Sequence, residues 1–179
     1  MIKKLFFDTD CISSFLWVKE EKILLTLYPE RIILPKQVSD ELCNPSIPHI
    51  KRRVVQLCSE GGLAIKEILA QTDEFHLYCG LAISPPKGEK RIGKGEAAAI
   101  ALAKTCNGIL ASNNLRDISR YIEKYNLEHI TTGDILIEAL KKGHIDEREG
   151  NRMWCDMISK KRFLPTSTFT EYKTKKLKN

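Results

Sequence analysis

The sequence predicts an α/β domain, a central and mostly parallel sheet covered by helices. Two patterns carry the prediction. Short apolar runs alternate with segments of helical periodicity, the arrangement a helix-covered parallel sheet needs. The run Ala97-Ala98-Ala99-Ile100-Ala101-Leu102-Ala103 is apolar all round, so a helix built from it must be buried, and its alanines allow close backbone packing. With 179 residues, 42% hydrophobic and 29% charged, the chain suits one soluble domain.

The elements follow in order. Leu5-Phe6-Phe7 reads as a first buried strand. Ser13–Val18 and Glu21–Leu27 are patterned as helices. Arg31–Leu34 is a second strand, stopped by Pro35, and Lys36–Cys43 a helix with Val38 and Leu42 four apart on its core face. Asn44-Pro45 ends that helix. Ser46–Ser59 looks helical up to Gly61-Gly62, and Leu63–Ile65 fits a third strand. Cys79 to Gly95 is rich in Gly, Pro and basic residues and reads as a loop. The clearest helix, Glu96–Thr105, follows. Asn107-Gly108 turns into strand Ile109–Ala111, then a helix from Leu115 to Lys124 and a last strand at His129–Thr131. Helices at Asp134–Lys142 and Asp146–Ser159 close a domain spanning residues 1–160.

Residues 161–179 read as a basic C-terminal tail, solvated and frayed. The net charge of +6 is concentrated there: residues 159–179 hold seven basic residues against Glu171, leaving 22 of each sign in residues 1–158. The high pI therefore describes the tail and says little about nucleic acid. No apolar run approaches the about 20 residues needed to span a bilayer. Met1-Ile2-Lys3-Lys4 leads into only three apolar residues before acids begin, so no signal peptide and a cytoplasmic location are expected. The six cysteines are scattered singly, without zinc-ligand spacing, and read as reduced, mostly buried small hydrophobes.

In open parallel sheets function gathers at the carboxyl ends of the strands. Asp8 and Asp10 follow the first strand directly. Glu41 lies in the helix after the second strand, Glu96 opens the buried helix, and Asp117 falls in the first turns of the helix after strand 109–111. Converging carboxylates repel unless a cation neutralises them, and hard oxygen ligands suit Mg²⁺ or Mn²⁺. Each acid also has an ordinary explanation. Asp8 or Asp10 could cap a helix, Glu41 could face solvent, Glu96 could complement a helix dipole, and Asp117 could pair with Arg116 or Arg120.

Four stretches together resemble the PIN-domain ribonucleases from Leu5 to about Ser159. Leu5-Phe6-Phe7-Asp8-Thr9-Asp10 resembles their opening strand and first metal-binding Asp. Leu34-Pro35-Lys36-Gln37-Val38-Ser39-Asp40-Glu41-Leu42 resembles the strand–Pro–helix segment, with Glu41 as second acid. Gly95-Glu96-Ala97-Ala98-Ala99 resembles the third element, and Ala111-Ser112-Asn113-Asn114-Leu115-Arg116-Asp117 the fourth. Many members carry Asp where this chain has Asn113 or Asn114.

The resemblance implies a three-layer α/β/α fold with sheet order 3-2-1-4-5. It implies an endoribonuclease using Mg²⁺ or Mn²⁺ held by Asp8, Glu41, Glu96 and Asp117, and products with a 5′-phosphate and a 3′-hydroxyl. Asp10, Ser112, Asn113 and Asn114 would be supporting polar groups, the last three orienting water or the scissile phosphate. Lys87, Lys90, Arg91 and Lys94 would contact RNA phosphates. Many members are toxins of toxin–antitoxin pairs, so an antitoxin-like partner is implied, and a homodimer is a further possibility.

Two alternatives stand beside this reading. One is a PIN-like RNA- or partner-binding module that has lost catalysis, motivated by the two asparagines. The other is a phosphatase of the haloacid-dehalogenase type, from the D-x-D of Asp8 and Asp10 with Ser112 and Gly133-Asp134 as later motifs. Only 21 positions separate Asn113 from Asp134, too few for the strand and helix that fold inserts, and Glu41 and Glu96 would have no role.

Overall fold

In a computed structural model, which describes residues 2–178, the first strand, β1 (Leu5–Phe7), is the centre of a five-stranded sheet. Beside it lie β2 (Ile32–Pro35) and β4 (Ile109–Ala111), and at the edges β3 (Ala64–Lys66) and β5 (Glu128–Ile130). The order is β3-β2-β1-β4-β5 and every pairing is parallel, with Leu5 opposite both Ile32 and Ile109. Alternation along β1 divides the interior. Leu5 and Phe7 enter one core and Phe6 the other. The first core lies under α1 (Thr9–Val18), α2 (Glu21–Leu27), α3 (Lys36–Leu42), α4 (Pro48–Ser59), α8 (Thr132–Lys141), α9 (Glu147–Ser159) and α10 (Phe169–Lys178). The second lies under α5 (Asp73–Ala82), α6 (Lys94–Thr105) and α7 (Leu115–Tyr125). The result is a three-layer α/β/α fold. No helix among the described residues is long and apolar enough to cross a membrane.

Helix α6 explains how the centre is filled. Ala97 to Ala103 are all buried, and the helix packs across β1, β2 and β4. Small side chains let its backbone sit close to the sheet. Val38 and Leu42 are buried on α3, as their spacing requires.

Four expectations are corrected. Helix α1 starts at Thr9, four residues earlier than its apolar pattern, because Asp8 caps it. Residues 79–82, read as loop, belong to α5; Thr72 caps that helix by accepting from the Phe75 amide at 3.3 Å, with Asp73 and Glu74 in its first turn. Gly80 lies inside α5, and Lys94 already belongs to α6, which shortens the loop to residues 83–93. The cysteines are all free, but only Cys11 is buried, while Cys106 and Cys155 are exposed.

The fourth correction concerns the tail read as frayed. Its charges conceal an amphipathic helix. Phe169 is fully buried and Tyr172 nearly so, and both pack at a tilt against Trp154, whose indole Nε1 donates to the Thr166 carbonyl at 2.9 Å. Glycines make room for them. A Cβ on Gly150 would lie 2.5 Å from the Phe169 ring, and one on Gly133 2.3 Å from that of Tyr172. The Tyr172 hydroxyl donates to Asp134 at 3.1 Å, and Lys176 pairs with the same carboxylate at 3.0 Å.

The helix should therefore carry stability. Phe169→Ala is expected to cost about 3–5 kcal/mol, the usual range for emptying a buried aromatic site. Urea unfolding followed by circular dichroism measures it, and a loss near zero would contradict the docking of α10.

Candidate functional site

Asp8 stands at the carboxyl end of β1, where the chain turns directly into α1. Its Oδ1 accepts from the Cys11 amide at 2.7 Å, an N-cap bond. Its Oδ2 is buried with no hydrogen-bond partner. The side chain is 1% exposed. Burial pushes its pKa up to about 7; the Ser112 hydroxyl and the Cys11 amide partly offset this, while the charges of Asp10 and Glu96 add to it. An acid in this state is ill satisfied as an anion.

The second acid arrives from α3. Glu41 accepts from the Thr9 hydroxyl and, at 3.2 Å, from the Gly95 amide in the first turn of α6. The approach is close enough to demand glycine. A Cβ on residue 95 would lie 2.8 Å from Thr9 Oγ1 and 3.1 Å from Glu41 Oε2. Neither Thr9 nor Gly95 stands out in the sequence as a site residue, although both flank acids that do.

Glu96 closes the α6 N-terminus by accepting from the Gly93 amide at 3.1 Å. Its other oxygen accepts from Asn114 Nδ2 at 2.5 Å, and the same amide donates to Asp117 Oδ2 at 2.8 Å. Asn114 thus bridges the third and fourth acids, with Asp117 on the same face of the α7 start, as a separation of three residues requires. Ser112 is buried, and its hydroxyl accepts from the Asn114 amide at 3.3 Å.

Asn113 differs from its neighbours. Its side chain donates to Thr132 Oγ1 and accepts from the Thr132 amide, both at 2.9 Å, and so fastens the end of β4 to α8. Both ends of its amide are engaged in this clasp between β4 and α8. Asp10 is half exposed in the first turn of α1, 3.9 Å from Arg162. Arg120 does not pair with Asp117; it donates to the Lys90 carbonyl at 3.1 Å and to the Tyr121 hydroxyl at 2.5 Å.

The basic segment splits. Lys87, Lys90, Arg91 and Lys94 are all exposed. Lys90 and Arg91 line a cleft of about 360 Å³ whose opposite wall is Arg116, Asp117 and Arg120 of α7, whereas Lys87 and Lys94 lie outside it. Arg116 and Arg120 were not singled out as phosphate contacts, because only folding brings α7 beside the loop.

Asp134 has a different task. Burial opposes its ionisation, but Lys176 and Thr131 more than compensate and hold its pKa below the ordinary value. It caps α8 together with Thr131. Gly133-Asp134 is a helix start tied to α10, which removes the later motif that a phosphatase would need.

Among the described residues, no three His, Cys, Asp or Glu side chains already form a ligand cluster. Neutral donors hold the acids instead: Cys11 and Gly93 amides, Thr9, Gly95 and Asn114.

A family model, DUF3368, described as a PIN domain, matches residues 4–176. A search of curated proteins found no match.

The state of Asp8 sets a pH dependence for the metal-free protein. Its folded pKa exceeds the unfolded value, so its contribution to stability is full below about pH 4 and is lost as pH rises through about 7. The loss is on the order of 4 kcal/mol at 1.36 kcal/mol per unit. Asp8→Asn keeps the cap and removes the charge. In EDTA it should be the more stable protein at pH 8, with the gap closing at pH 4, as read from urea unfolding. A wild type at least as stable as the variant at pH 8 would contradict this.

Proposed function

The chain belongs to the PIN-domain family, and from that premise we propose that it is a metal-dependent endoribonuclease acting through Asp8, Glu41, Glu96 and Asp117. One observation carries the reading: a carboxylate oxygen, Asp8 Oδ2, is buried at the carboxyl end of the central strand without a well-formed hydrogen bond. A buried group of this kind is costly to retain without a partner. The all-oxygen donor set fits a hard divalent cation, Mg²⁺ or Mn²⁺.

On this reading Asp8, Glu96, Asp117 and Glu41 hold the ion. A bound Mg²⁺ or Mn²⁺ supplies Lewis-acid activation of water and stabilises charge on the phosphodiester. The chain's own groups set the geometry. Asn114 fixes the spacing of Glu96 and Asp117 through its two amide protons. Thr9 and Gly95 aim Glu41. Asp10 adds negative potential beside Asp8, and Ser112 braces Asn114 from below. Water attacks phosphorus and the 3′ oxygen leaves, giving a 5′-phosphate and a 3′-hydroxyl. Lys90 and Arg91, with Arg116 and Arg120, would bind flanking phosphates, and Lys87 and Lys94 would extend that field. An antitoxin-like partner covering this edge, or a homodimer, belongs to the same proposal.

Mg²⁺ or Mn²⁺ should support cleavage of single-stranded RNA, and EDTA should stop it. Asp8→Asn should lose at least about a hundredfold in rate, because the ion loses its buried anionic ligand. Asp117→Asn should instead raise the Mg²⁺ concentration needed for half-maximal rate. Denaturing electrophoresis of an end-labelled RNA reads both. Full activity in Asp8→Asn would defeat the proposal, and metal binding without any cleavage would favour the catalytically silent module.

A further inference from the structure

A second cavity adjoins Asn114 and shares Arg116 with the basic cleft. It measures about 270 Å³, and its walls include Asn114, Leu115, Arg116, Phe163, Pro165 and Tyr172. Asn114 is the residue that bridges Glu96 and Asp117. Arg116 lines this cavity and the basic cleft alike. Asp117 thus lines a cleft of cations, while its partner Asn114 lines a largely apolar slot. A single polynucleotide strand has the same alternation, charged phosphate against flat, apolar base.

The slot owes its outer wall to the link between α9 and α10. Phe163 is 86% exposed, the most exposed large apolar side chain among the described residues, and Leu115 across from it is 45% exposed. Their exposure does not reflect a loose segment. On one side Arg162 donates to Ser13 at 3.1 Å and lies over the Trp17 ring at 5.7 Å; on the other, the Thr166 carbonyl is held by Trp154 at 2.9 Å. An aromatic ring presented to solvent on a pinned segment loses little entropy on binding.

We propose that this slot is a nucleobase subsite, in which one unstacked base of a single-stranded RNA lies against Phe163 while its phosphates run past Arg116 to the acids. The assignment rests on the ribonuclease reading of the neighbouring edge. A protein partner is the weaker occupant, since the slot is small and its polar rim is shared with the phosphate-facing groups. Stacking on an aromatic face is tolerant of base identity, so the subsite selects for single strands over duplexes more than for sequence.

Fluorescence anisotropy in EDTA, where cleavage cannot intervene, tests the subsite with a short fluorescein-labelled RNA of mixed sequence, single-stranded or annealed to its complement. Phe163→Ala should weaken single-strand binding about tenfold and leave duplex binding unchanged, with Phe163→Trp restoring it. Thermal unfolding should not change, because the ring is exposed. Equal binding by the alanine variant, or equal losses on both RNAs, would overturn the subsite while leaving the ribonuclease proposal intact. A folded wild type that binds neither RNA would overturn the subsite and the RNA reading together. A dimer in sedimentation that Phe163→Ala converts to monomer would assign the slot to a second copy and overturn the proposal.

Discussion

Everything at the acid edge depends on one carboxylate placed where water cannot reach it. Asp8 ends the central strand of the sheet, and its backbone amide still pairs with Ala111 of the neighbouring strand at 2.9 Å. One oxygen is consumed in starting α1 and the other has no partner. Folding therefore creates a site of unfavourable negative potential. A dication would relieve that cost, and protonation is the alternative without one. On the proposed reading, binding of an ion and stability of the fold would be linked through the same side chain.

The surrounding architecture brings Glu96 near Asp8 and ties Glu41 and Asp117 to neighbouring residues through neutral donors. Parallel order puts β2 and β4 on either side of β1, so the elements that follow these strands emerge beside Asp8. The alanine face of α6 lets that helix lie close to the sheet, which brings Gly95 and Glu96 to the same edge. Neutral hydrogen-bond donors then separate the anions. Asn114 is the clearest case, since an aspartate there would add a charge and remove the bridge between Glu96 and Asp117.

Patterns confined to a few residues were legible in the sequence. The five strands lie within a residue of where their apolar runs put them, and Asp8 and Glu96 were found because one directly follows a strand and the other lies in the first turn of a helix. Features that need two distant segments were not. Thr9 and Gly95 matter through Glu41, 32 positions from the hydroxyl it meets. Phe169 and Tyr172 were masked by lysines, and only the glycines of α8 and α9 give their rings a seat. Helix α5 was hidden by Gly80 and by the prolines beyond it, although Thr72 with Asp73 and Glu74 was a usable start signal. The Asn113 clasp reads like its neighbours in sequence, and only its contact with Thr132 separates it from them.

A crystal soaked in Mn²⁺ and measured at the manganese absorption edge tests the central claim most directly. The account predicts an anomalous peak within about 2.6 Å of Asp8 Oδ2, inside the range of metal–oxygen bonds, with Glu96 or Asp117 bound to the same ion directly or through water. A folded protein whose manganese lies elsewhere, with no peak within about 6 Å of Asp8 and thus neither a direct ligand nor one bridged by water, would contradict it.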